Sequence, residues 1–177
     1  MIALTVGYLF TAYLMADLVT GIFHWWEDRY AQTSWPVIGA WIAEPNELHH
    51  RSPTAFLAGG YWKRNWSTLL PTLTAACVCF IAGLAWWALV FLFASQANEI
   101  HALAHRFGKV GPVVKLFQDA SIIQSPRHHA EHHRSPHQVR YCVMSPVLNP
   151  FLDALKVWQG LERLLAAGGF RTKTPAD

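Results

Sequence analysis

The chain has 177 residues, of which 53% are hydrophobic and 14% charged, with nine tryptophans and a formal net charge of +3. This is too apolar and too aromatic for an ordinary water-soluble domain, and the charge is too weak and dispersed to point to nucleic acid. Composition therefore excludes a nucleic-acid binder and favours one membrane domain over 1–177, with anionic lipid headgroups as its partner.

The first apolar stretch, Ile2 to Phe23, carries one charge, Asp17. Its roughly 22 residues reach ~33 Å at ~1.5 Å each, the thickness of a bilayer core, which predicts a span over 2–23. The uncharged stretch from Trp66 to Ala97 is too long for one straight crossing, and Ala82-Gly83 near its middle offers a break. It predicts a tight hairpin with spans over about 66–82 and 84–100. Pro71 falls near the start of the first of these, where a missing N–H costs least. Every Lys and Arg lies either between His24 and Arg64 or beyond Glu99. The positive-inside rule then puts both regions on the cytoplasmic side, and three crossings bring all the histidines to one face.

The tail over 106–177 has no further uncharged run and is expected to lie at the membrane surface. Val113 to Ile123 reads as a short helix, and Asn149-Pro150 as the cap and first turn of another that ends near Gly168-Gly169. In the latter, Phe151, Leu155, Trp158 and Leu165 follow helical spacing, which fits an interfacial helix or one packed on the protein's own cytosolic side. The residues from Arg171 read as a frayed end. Trp25, Trp26, Trp62 and Trp66 read as an interfacial belt, with a substrate entrance as the alternative. Cys77, Cys79 and Cys142 form no paired framework and read as reduced thiols; Cys77-x-Cys79 reads as small packing residues, with a metal site as the alternative. The expected fold is an all-α integral membrane protein of about three transmembrane helices, with cytosolic or interfacial helices carrying a histidine cluster.

The chemistry lies in ten histidines. Residues four apart share a helix face, so His101 and His105 can turn two imidazoles toward one metal, and His24 with Asp28 an imidazole and a carboxylate. His128 pairs in the same way with His132, and His129 with His133; His49-His50 adds a vicinal pair. Two adjacent faces are covered, enough for two metals. Many nitrogen donors and few cysteines favour iron, with zinc and copper allowed by ligand type, and the number of donors exceeds what one tetrahedral zinc can use.

Four segments, taken together, resemble a known family: Ala16-Asp17-Leu18-Val19-Thr20-Gly21-Ile22-Phe23-His24-Trp25-Trp26-Glu27-Asp28, then His49-His50-Arg51-Ser52-Pro53, then Asn98-Glu99-Ile100-His101 with His105, and Ser125-Pro126-Arg127-His128-His129-Ala130-Glu131-His132-His133-Arg134-Ser135-Pro136-His137. Over roughly residues 12 to 160 the chain resembles the plasmanylethanolamine desaturases, the Kua or CarF-like lipid desaturases. It is also similar to plant enzymes that put a trans double bond into a phosphatidylglycerol acyl chain. The resemblance implies two iron ions, O2 as co-substrate, a phospholipid substrate and an external electron donor, a b-type cytochrome or a ferredoxin. The implied ligand set is His24, His49, His50, His101, His105, His129, His132 and His133. Asp28 is an added ligand or a partner of one, and His128 and His137 are further candidates. Asp17, seven residues before His24 on the same helical face but within the span, orients that ring or pairs with Tyr13 or Thr20. Arg127, Arg134 and Arg140 are headgroup candidates, with solvated interfacial arginines as the alternative reading.

The implied activity is O2-dependent removal of two hydrogens from a lipid chain, with vinyl ether formation from plasmanylethanolamine as the leading reading. Desaturation of an acyl chain, or hydroxylation at the same irons, is the alternative. A metal transporter needs ionisable groups along several spans, and only Asp17 lies within one. A zinc hydrolase needs an open three-ligand site, which this donor set exceeds.

Overall fold

A computed structural model of the protein describes residues 1–173 and, at position 56, the backbone alone. Among the described residues the fold is helical, with no strand. In chain order, α1 (Ile2–Arg29) leads through a π-helical turn (Gly39–Ala43) into α2 (Glu44–Arg51), and a short 3₁₀ turn (Ala55–Leu57) precedes α3 (Tyr61–Ile81). Then come α4 (Ala85–Ala94), α5 (Ala97–Ala104), α6 (Pro112–Asp119), α7 (Pro126–His132), α8 (Asn149–Ala154) and α9 (Val157–Ala167).

Helix α1 continues past the expected span end at Phe23 to Arg29, so its last turns carry His24 and Asp28 beyond the apolar stretch. It is the one helix, among the described residues, long and apolar enough to cross a membrane, and only 17% of its apolar window is buried. An apolar surface of that size turned outward calls for lipid or a partner to cover it. Helices α3 and α4 fall short of the same measure. The former begins at Tyr61 and takes Lys63, Arg64 and Asn65 into its first turns, and the second arm breaks at Ser95-Gln96 into α4 and α5. Pro71 therefore sits inside α3 rather than at its start, removing the donor for the Ser67 carbonyl. The hairpin reverses at Ala82-Gly83: Gly83 has φ +75°, Leu84 N–H donates to the Cys79 carbonyl at 2.8 Å and Gly83 N–H to that of Phe80 at 3.1 Å. This pair of bonds closes the end of a helix through a left-handed residue, which glycine adopts without strain.

Helix α4 packs between α1 and α3. Its contact with α1 is made by small residues, Ala12 and Ala16 against Val90 and Ala94, all fully buried. Small side chains let the backbones approach closely, the usual basis of helix association in lipid. A second core gathers Trp25, Tyr30, Tyr141, Cys142 and Trp158. Trp25 thus belongs to the interior, stacked on Trp158 with ring centroids 6.3 Å apart, and not to an interfacial belt; Trp62, by contrast, is 75% exposed.

The tail departs from expectation in three places. The helix expected over Val113 to Ile123 is the shorter α6. The helix expected from Asn149 to Gly168 is divided into α8 and α9 at Lys156, which takes a left-handed φ of +53°. Asn149 is itself helical, and its side chain serves the Cys142 backbone instead of capping. The chain after Arg171 is held as far as it is described: Lys173 N–H donates to the Arg29 carbonyl at 2.7 Å, and its ammonium to the carbonyls of Glu27 and Ala31. The remainder of the expected frayed end, 174–177, lies outside the described residues. All three cysteines are free thiols.

Gly21 sits where α1 meets the buried Cys142. A Cβ there would stand 2.7 Å from Cys142 Sγ and 3.1 Å from its backbone. Gly21→Val is expected to cost about 1–3 kcal/mol through overpacking. Thermal unfolding in detergent checks this, and an unchanged midpoint would contradict the packing described.

Candidate metal centre

Four short segments deliver the histidines to one end of the bundle. The last turns of α1 supply His24 and Asp28, α2 supplies His49 and His50, α5 with its C-terminal cap supplies His101 and His105, and α7 with its cap supplies His129, His132 and His133. Helices α2 and α7 start in a way their sequence explains: Pro45 and Pro126 occupy first-turn positions, and the Ser125 hydroxyl accepts from His128 N–H. The histidines of α2 and α7 fall in the last turn, where the helix dipole favours cations.

The side chains form two groups. His49, His101, His105, His129 and His133 offer ligand atoms that all lie within 4.8 Å of one another; His24, Asp28, His50 and His132 do the same. In the first group His129 Nε2 stands 2.7 Å from His101 Nε2 and 3.0 Å from His133 Nε2. In the second, Asp28 Oδ1 is 2.9 Å from His50 Nε2 and 3.8 Å from His24 Nε2. Asp28 Oδ2 lies 3.2 Å from His132 Nε2, close but off line for a hydrogen bond. Donors held ~2.1 Å from one ion and ~90° apart are ~3.0 Å from each other, so these separations suit the edges of a coordination polyhedron. The Nε2 atoms of His24, His105 and His132 are buried with no hydrogen-bond partner. Buried polar atoms left so cost about 1–3 kcal/mol each, and a cation between them removes that cost. The residues present fit two metal ions.

The protonation states agree. Burial, reinforced by neighbouring imidazoles, holds His49, His101 and His129 well below the usual histidine range. Burial brings His105 down to about 4. Neutral rings present lone pairs, the form a metal needs. The donors are imidazoles and one carboxylate with no thiolate, a set that suits iron.

Other expected residues lie elsewhere. His128 Nε2 contacts Asn149 Nδ2 at 3.0 Å and joins neither group; the ring of His137 is 5.0 Å from that of His50, but its Nδ1 binds the His132 carbonyl. Asp17 touches neither His24 nor Thr20 through its carboxylate, which accepts from Met144 N–H, Ser145 N–H and the Ser145 hydroxyl. Arg140 is ion-paired through Nε with Glu131 and Asp153. Arg127 and Arg134 are exposed. Sequence reasoning missed Asn46, whose amide donates to Asp28 Oδ1 at 2.7 Å. Its place four residues before His50, on the same face of α2, was the available signal.

The chain matches the lipid desaturase domain over residues 13–173. It belongs to the lipid desaturase family. Within this family it is 33% identical to fatty acid desaturase 4, chloroplastic, of Arabidopsis thaliana, over 86% of this chain and 49% of that protein. It is 29% identical to plasmanylethanolamine desaturase 1 of Mus musculus (86% and 61%) and 26% identical to plasmanylethanolamine desaturase of Myxococcus xanthus (86% and 57%). The lipid desaturase chain thus spans about half to three fifths of the length of these relatives. No solved structure matches it.

The lowered histidine pKa values set a pH dependence. Between about 4 and the 6.5 of a free ring, the unfolded chain binds a proton at position 105 that the folded chain does not. The thermal midpoint of the metal-free protein should therefore fall as pH drops from 7 through this window, and metal loading at pH 7 should raise it. A midpoint indifferent to both would contradict the site.

Proposed function

We propose that this protein is a membrane-bound, iron-dependent lipid desaturase that converts plasmanylethanolamine to plasmenylethanolamine, forming a vinyl ether. The observation that carries the reading is the convergence of eight histidines and Asp28 into two adjacent buried groups beside an outward-facing apolar helix. The whole chain acts as one domain. Helix α1 and the α3–α4 hairpin enter the bilayer, with the histidines at the cytoplasmic face, where the positive-inside rule places the basic residues.

Iron bound in the two groups would supply the oxygen chemistry that side chains cannot perform on an unactivated C–H bond. The net reaction removes two hydrogens from adjacent carbons and reduces O2 to two waters, so two electrons and two protons enter from outside. In this reading a b-type cytochrome or ferredoxin supplies the electrons. His49, His101, His105, His129 and His133 would hold one ion, and His24, Asp28, His50 and His132 the other. Asn46 holds Asp28, and the buried Trp25, Tyr141 and Trp158 keep water from that side of the site. Arg134 borders a recess of mixed lining, with Glu131, Gln138 and Gln159 beside Pro136 and Val139, next to the ligands of α7, and is the headgroup contact in this reading. A vinyl ether double bond adjoins the ether oxygen, which keeps the headgroup close to the reacting carbons.

A second reading keeps the same site and moves the substrate to an ester-linked acyl chain, because the plant fatty acid desaturase is 33% identical to this chain against 29% for the mouse plasmanylethanolamine desaturase. Lipid mass spectrometry separates them. Cells without a plasmalogen pathway, fed an alkyl-ether lipid and supplied with a competent reductant, should form an acid-labile species two mass units lighter with the intact protein. His132→Ala and His101→Ala should each lower its yield at least about a hundredfold while the protein still inserts. An acyl chain lighter by two hydrogens would favour the second reading, and no change in either lipid would contradict both.

A further inference from the structure

The segment from Val139 to Ser145 has no helix or strand of its own, yet Tyr141 through Ser145 are all buried. Buried irregular backbone needs partners for its polar groups, and here they come mainly from side chains of α1 and α8 and from Gln124, whose own N–H donates to the Met144 carbonyl at 2.8 Å. Arg140 N–H donates to Asp153 at 3.3 Å. Cys142 N–H donates to Asn149 Oδ1 at 3.0 Å, and the Cys142 carbonyl accepts from Asn149 Nδ2 at 2.8 Å and Gln124 Nε2 at 2.9 Å. Asp17, fully buried in α1, takes Met144 N–H at 2.8 Å, Ser145 N–H at 3.1 Å and the Ser145 hydroxyl at 2.7 Å.

Two carbonyls of this strap are turned instead toward the metal centre. The Val139 carbonyl is 2.8 Å from His132 Nδ1, and the Tyr141 carbonyl 3.1 Å from His24 Nδ1. A carbonyl oxygen has no proton to give, so each Nδ1 must carry one. In a neutral ring that leaves Nε2 with a free lone pair, and both Nε2 atoms face Asp28. The five-histidine group is assembled differently, by α2, α5 and α7, with ring-to-ring contacts of 2.7 and 3.0 Å at His129.

We propose that the 139–145 strap builds the carboxylate-containing centre specifically, and that Asp17 and Asn149 are positioning residues acting through it. Clamped at both ends, the strap sets the tautomer and the aim of His24 and His132, two of that centre's four donors. Asp17 thereby governs His24 from a distance, across the strap. A merely structural role for either residue would loosen both centres alike; this role loosens one. The inference rests on the two-centre reading above but not on the identity of the lipid.

The test counts metal. The full chain, purified in detergent and stripped of metal, is titrated with Co(II), and bound cobalt is measured after desalting. The wild type should hold two ions per chain, and a wild type holding one overturns the inference together with the two-centre reading. Asp17→Asn and Asn149→Ala should each hold one, with circular dichroism and elution volume unchanged. Adding His101→Ala to Asp17→Asn should remove the remaining ion, whereas adding His50→Ala should leave it. Two ions retained in both single variants, or both lost from a chain that stays folded, would overturn the inference. Ser145→Ala deletes only the hydroxyl bond to Asp17 and decides the matter where the others fail to fold: cobalt at one centre should weaken roughly ten- to a hundredfold, and unaltered affinity at both would overturn it. Two cobalt ions with no desaturated lipid would fault the substrate reading and leave this inference standing.

Discussion

Nine donor side chains withdrawn from water and turned toward one another raise the free energy of the fold unless cations stand between them. Most other features of the structure follow from that constraint. Burial and neighbouring imidazoles hold His49, His101 and His129 well below the usual histidine range, and neutral rings are ligands. Three of the helices that carry them, α2, α5 and α7, are short, and donors on four segments must agree to within fractions of an ångström. Arg64 shows how this is done: its guanidinium binds Glu99 at 2.7 Å and ties the start of α3 to the start of α5, two residues ahead of His101. Lys173 makes a comparable tie across the ends of α1 and α2.

The two halves of the molecule meet opposite demands. Along α1 and the hairpin, apolar side chains face outward and small residues face inward, the reverse of a water-soluble bundle and the pattern expected where lipid is the solvent. At the other end, polar groups point inward and are covered by Trp25, Tyr141 and Trp158.

Much of the centre was legible in the sequence because helical geometry is strict. The three pairs at four-residue spacing, His24 with Asp28, His101 with His105 and His129 with His133, each fall within one group. Vicinal pairs could not be sorted by the same rule, since neighbours on a helix point ~100° apart. The structure divides them: His49 and His133 go to one group, His50 and His132 to the other. His128, spaced just as well from His132, instead meets Asn149. The hairpin turn was legible from Ala82-Gly83 and the long apolar first helix from its hydropathy. What stayed hidden depends on long-range contacts: the carbonyls of Val139 and Tyr141, the capture of Arg140 by Glu131 and Asp153, the burial of Trp25, and the left-handed Lys156 that divides the last helix. A backbone carbonyl has no residue type, so no motif can announce it.

The account stands on two iron ions in two distinct donor sets, and anomalous scattering at the iron edge from crystals of the iron-loaded protein tests it most directly. It predicts two peaks, one enclosed by His49, His101, His105, His129 and His133 and one by His24, Asp28, His50 and His132. A single peak, or iron bound away from these side chains, would contradict it.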